Sequence, residues 1–229
     1  MHAPAAWARG MDAVLRDADA LLRRGPIPGQ RGGRRAVLVV LLLAPLYGLC
    51  MGSYSVTSPD RLLMPVLIAA KMPILVLATA AICLPGFFVL YAAAGLASDF
   101  REALRAVAAG QAGVAAALAS FGPVILVAYS GVDRQPDAVL LNALVFTVAA
   151  GVGQAVTWRG YRPLIARSRR HGVLLAAWLA LYAFVGIQMG WTLRPFIGDP
   201  DKPVQLFRDE PLSNAYVVVF RLFRSRLGL

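Results

Sequence analysis

Charge is scarce in this chain, and acidic charge scarcest: 15% of its 229 residues are charged, with 12 Asp plus Glu against 23 Lys plus Arg. Soluble domains carry about 25% charged and about 45–50% apolar residues, whereas here 59% are hydrophobic. That balance excludes a disordered chain and argues against a water-soluble globule. Cysteine is nearly absent. Cys50 and Cys83 sit in apolar stretches with no CxxC or Cys/His spacing, which excludes a structural zinc site and argues against a disulfide framework. Histidine occurs only at His2 and at His171, in a basic loop. There is no GxSxG elbow, no HExxH and no phosphate-binding GxxxxGK string. No catalytic residue, cofactor or metal ligand is therefore expected, and an enzyme would need chemistry from Lys, Arg or Tyr alone.

What the chain does have is five long uncharged apolar runs, at 36–56, 72–96, 106–132, 138–158 and 172–193. About 20 residues at about 1.5 Å each cross a hydrocarbon core of about 30 Å, so each run can span as a helix. Backbone polar groups cannot stay unpaired in lipid, which forbids exposed loops and open strands there. The two-residue alternation of a membrane barrel is missing. The expected fold is an all-α membrane protein, a bundle of five transmembrane helices over 36–193, with amphipathic N- and C-terminal helices.

In residues 1–35, Trp7, Met11, Val14, Leu15, Ala18 and Leu22 recur at helical spacing, with Arg9, Arg16, Asp17 and Arg23 elsewhere on the helix. This reads as a helix that lies in the cytoplasmic headgroup layer or docks on a partner, followed by a basic linker through 30–35. The early Arg and Asp residues and the length of the first run argue against a cleavable signal peptide. In the tail 194–229, the stretch 215–227 is apolar but too short to cross, so an interfacial helix is expected. The apolar piece 62–70 could extend the second helix outward, enclosing Lys71.

Lys and Arg fix the orientation. One side collects the seven Arg of the first 35 residues, then Arg101, Arg105, Arg159, Arg162, Arg167, Arg169 and Arg170. The other side holds Arg61, Lys71 and Arg134 in its loops, plus the basic residues of the tail. The N-terminus is thus expected in the cytoplasm and the C-terminus on the opposite face. Abundant Ala, Gly and Arg suggest a GC-rich bacterial genome and hence a bacterial inner membrane. The net charge of +11 is read as orientation and contact with anionic lipid headgroups, not as nucleic-acid binding.

Polar residues in or beside the runs are the candidate interaction or packing positions. Lys71 at mid-bilayer would be a functional candidate; at a helix start before Pro73 it would snorkel to the headgroups. Gln111, Asn142, Gln154 and Gln188 are the amides within the runs. They serve either as interhelix hydrogen bonds or, if several converge, as the lining of a solute path. Gly110, Gly113 and Ala117 in the third run, with Gly151 and Gly153 in the fourth, invite close helix approach. The segment 188–200 reads QMGWTLRPFIGDP, followed by QLFR at 205–208. Trp191 fits an aromatic belt, and Arg194, Phe196, Phe207 and Arg208 make either a well-formed helix exit or a surface for docking another protein.

This last segment, with AKMP at 70–73 and ICLP at 82–85, resembles a group of bacterial inner-membrane proteins of Yip1-like type, over roughly 61–221. The resemblance implies a cytosolic N-terminal region followed by five spans, and a role in organising membranes, but no catalytic residues. The expected function is a non-enzymatic scaffold or accessory subunit of a larger membrane complex, with membrane lipids and other membrane-protein subunits as partners. The alternatives are a carrier or channel for a small solute or lipid, and a membrane-organising Yip1-like protein. No small-molecule ligand is named by the residues.

Overall fold

The computed structural model describes residues 31–56, 58–132, 134–194 and 196–197, with the side chains of Arg31 and Asp60 excepted. The amphipathic helices expected within 1–24 and 215–227, and the candidate residues Phe207 and Arg208, lie outside them. Among the described residues every regular element is helical. Five α-helices follow one another: α1 Arg31–Gly52, α2 Leu63–Ala93, α3 Phe100–Tyr129, α4 Gln135–Arg167 and α5 Arg170–Thr192. Short 3-10 turns lie at Ser53–Ser55, Pro59–Arg61 and Ala97–Asp99. All five helices are long and apolar enough to cross a membrane.

The helices are longer than the uncharged runs. Hydropathy marks only the part of a helix that needs lipid; beyond it the backbone keeps its hydrogen bonds while side chains turn polar. So α4 runs nine residues past the expected end at 158, carrying Arg159, Arg162 and Arg167. Residues 31–35 of the expected linker are instead the start of α1, which begins at Arg31. The second helix starts at Leu63, not at 72, so Lys71 and Pro73 lie inside it and not in its first turn. Prolines also fall inside α1, α3 and α4, at Pro45, Pro123 and Pro163. Membrane helices tolerate such breaks because neighbouring groups satisfy the freed carbonyls.

Packing does not follow chain order. α3 makes its most extensive contacts with α4 and α1, α1 packs on α2, and α2 on α5, whereas α2 and α3 touch little. Two cores result. One, toward the α1–α2 and α3–α4 connections, joins Val40, Ala44 and Tyr47 of α1 with Ile68 and Met72 of α2, Leu118 of α3 and Ala149 of α4. The other, at the Arg-rich end, joins Phe87 and Tyr91 of α2, Val107 of α3, Tyr161 of α4 and Trp178 of α5. α1 takes no part in the second core, and the buried residues of α5 lie only in it.

Small residues set two of the crossings. A Cβ on Gly110 would lie 3.0 Å from the Gly153 carbonyl oxygen, and one on Gly153 would lie 2.8 Å from that of Gly110. α3 and α4 therefore meet backbone to backbone, as small residues allow. The second such contact joins α1 to α2. A Cβ on Gly48 would come within 2.6 Å of the Ala69 Cα, and one on Gly52 within 2.5 Å of the Pro65 Cα. The GxxxG spacing of Gly48 and Gly52 carries this contact, whereas a Cβ on Gly151 would meet nothing within 4 Å among the described residues, and Gly151 plays no part in the α3–α4 crossing.

Candidate functional site

The richest assembly of polar side chains gathers at the Arg-rich end, where α2 closes, α3 opens, α4 ends and α5 begins. At its centre is His171, in the first turn of α5 and fully buried. It belongs to no basic loop: Arg167 ends α4, and only Ser168 and Arg169 separate it from α5. That tight connection swings the imidazole inward between the helices. Its Nδ1 lies 3.2 Å from the Tyr91 hydroxyl of α2, and its Nε2 3.1 Å from a carboxylate oxygen of Asp99, in the turn before α3. The Tyr91 hydroxyl also bonds that of Tyr161 on α4, at 3.1 Å. Tyr161 and Tyr91 have no exposure.

The carboxylates are shared with α4. Arg167 pairs with both Asp99, at 3.4 Å, and Glu102. Arg170 donates to the Ala94 carbonyl at 3.3 Å, covering the end of α2. The exposed Arg167 pairs lie in solvent, where such contacts are weak. The His171–Tyr91–Tyr161 bonds are dry. Phe87 and Trp178 pack at 4.8 Å beside them, and Phe100 lies 5.6 Å from the Tyr91 ring. A phenol–phenol–imidazole–carboxylate chain thus ties α2, α4, α5 and the α2–α3 turn together.

A second buried network joins α1, α3 and α4 in the other core. The Asn142 side-chain oxygen accepts from the Tyr47 hydroxyl at 2.7 Å. Its amide nitrogen donates to the Tyr129 hydroxyl at 2.6 Å and to the Ala138 carbonyl at 2.8 Å. Tyr129 in turn donates to the Met51 carbonyl at 3.3 Å. Between α3 and α5, the Tyr182 hydroxyl donates to the Gln111 side-chain oxygen at 2.7 Å.

The amides in the runs therefore divide: Asn142 and Gln111 serve different helix contacts. Gln154 on α4 is half-buried, and its side-chain oxygen is buried without a hydrogen-bond partner among the described residues. Gln188 is half-buried, and its backbone carbonyl accepts from Thr192 at 3.0 Å. Lys71 is 2% exposed, in the third turn of α2, so it is not a snorkelling residue at a helix start. The Arg194 guanidinium stacks 3.6 Å over the Trp191 ring, a cation–π contact. Phe196 packs partly buried against the α1–α4 core, next to the buried Ile197. The exit from α5 thus folds back on the bundle.

The chain centred on His171 was not evident from the sequence. One histidine among arginines at the edge of an apolar run carries no spacing signal, and its partners stand 72 and 80 residues away in the chain. No family model, curated protein or solved structure matches this chain.

Proposed function

We propose that this chain is a multi-pass protein of the bacterial inner membrane, N-terminus cytoplasmic and C-terminus outside, that serves as a non-enzymatic scaffold or accessory subunit of a larger membrane complex. The observation that carries this reading is how the bundle spends its surface. Half of the apolar window of α3 is buried, against 22% for α4 and 17% for α5. With α1 at 39% and α2 at 28%, four of the five described helices have less than half of that window buried, α4 and α5 least, which leaves sides for lipid or for helices of other subunits. The buried polar groups described above, meanwhile, bind helices to one another. Arg101, Arg159, Arg162, Arg169 and Arg170 are exposed at one end, which supports placing it in the cytoplasm against anionic headgroups.

The test is copurification in mild detergent with mass spectrometry. The expected result is a second membrane protein in fixed stoichiometry; the chain alone at monomer mass overturns the reading. Reporters fused at the two ends are expected to respond on opposite sides of the membrane. A carrier for a small solute or lipid is the second reading, favoured by the unpartnered oxygen of Gln154. It requires that Gln154→Leu abolish uptake by vesicles while leaving the fold intact.

A further inference from the structure

We propose that the chain leaving α5 closes the end of the bundle opposite the Arg-rich one as an acidic clasp, with a carboxylate of Asp199 or Asp201 paired to the buried ammonium of Lys71. Lys71 is 2% exposed and stands eight residues past the start of α2. A charge in such a place is stable only when an opposite charge meets it. Arg61, 7% exposed, is a second buried cation at this end, and it donates to the Ser55 carbonyl at 3.5 Å. The described carboxylates stand elsewhere. Asp99 and Glu102 pair with Arg167 at the other end, and Asp137 is exposed in the first turn of α4.

The path of the chain brings acids to the lysine. A Cβ on Gly186 of α5 would lie 3.6 Å from the Thr79 methyl of α2, and one on Gly86 would lie 3.7 Å from Leu181, so the two helices run antiparallel. Eight residues outward from the Thr79–Gly186 contact stand Lys71 on α2 and Arg194 just past α5. They share one level, because both helices rise about 1.5 Å per residue. Beyond Arg194 the chain turns over the bundle. Ile197 is 7% exposed, in the same core as Ile68 and Met72 on either side of Lys71. Asp199 and Asp201 follow two and four residues on, within about 7 and about 14 Å of Ile197 by the reach of an extended chain.

Two acids therefore leave the bundle beside the end that buries two cations, and this complementary charge selects them as the occupant. The clasp fixes where the rest of the tail departs, so the segment left for a partner begins beyond residue 201.

The test is a cycle of variants in the full chain, in mild detergent, read as the midpoint of thermal unfolding by circular dichroism. Asp199→Asn with Asp201→Asn strands the ammonium and is expected to lower the midpoint by about 5 °C or more. Lys71→Met is expected to change it by less, because an apolar group of similar volume replaces a buried ion at little cost. In the Lys71→Met background the two Asn substitutions are expected to add almost nothing. If the Asn pair alone does not fold, adding Lys71→Met is expected to restore folding. Asp60→Asn, and Asp209→Asn with Glu210→Gln, are expected to show no such coupling to Lys71. No loss from the Asn pair, an equal loss with and without Lys71, folding that Lys71→Met does not restore, or coupling of Lys71 to Asp60 or to the 209–210 pair instead overturns the proposal.

Discussion

Leucine at Gly153 is expected to separate α3 from α4 and to cost about 3 kcal/mol or more, toward the upper end of overpacking penalties. The first added carbon would already stand 2.3 Å from a Val114 methyl and 2.8 Å from the Gly110 carbonyl oxygen. The valine can be trimmed, but the carbonyl belongs to the helix backbone and moves only if the helices part. Gly153→Ala combined with Val114→Ala should therefore recover only part of the loss caused by Gly153→Ala. Gly151, two residues away, meets nothing within 4 Å. Gly151→Ala should cost nothing and could add up to about 1 kcal/mol of helix propensity. Denaturant titration of the detergent-solubilised protein, followed by helical circular dichroism, separates these outcomes. Equal stability of the Gly151 and Gly153 variants would show that α3 and α4 do not meet backbone to backbone.

Asn142→Leu is expected to be the next most damaging change, at about 2 kcal/mol. The amide makes two bonds to tyrosines of other helices and one to its own backbone. Individual interhelix bonds in membranes average only about 0.6 kcal/mol and reach about 1.7. The loss of a shared partner adds the cost of leaving the Tyr47 hydroxyl buried without an acceptor. Tyr47→Phe alone should cost less, about 1 kcal/mol, because Asn142 keeps its other two bonds. The double variant should be more stable than the sum of the singles implies, since the phenylalanine has no hydroxyl to strand. Additive losses would mean that the two side chains do not meet.

These predictions differ in how far the sequence announces them. The small residues of the third run and Gly153 are visible as a packing face, and five uncharged runs suffice to count the helices. Their ends are not visible in the same way. A charge such as Arg159 marks where lipid stops, and the backbone of α4 continues helical to Arg167 because water does not break helices. Lys71 illustrates the reverse case. An apolar flank on both sides places it inside α2, yet as a charge it reads as a boundary. The sequence does not single out Gly48 and Gly52, because nothing local distinguishes their GxxxG spacing from glycines that pack on nothing among the described residues, such as Gly151. The assembly around His171 depends on four segments meeting at one end, and no property of a single segment foretells it. The segment beyond Trp191 reads either as a helix exit or as a docking surface; Phe196 finds cover on the bundle, and apolar cover is worth more to it than a solvated face.

The separation of α1 and α5 into different cores bears on how the protein is made. A ribosome delivers the chain in order, and by the time α4 has entered the bilayer α1 already has the neighbours it will keep. The aromatic wall at the Arg-rich end has no such luck. Phe87, Tyr91 and Tyr161 must wait for Trp178 and His171 to arrive with α5. A nascent chain stalled there would have the aromatic wall open at one end and, at the other, a core lacking only Phe196 and Ile197.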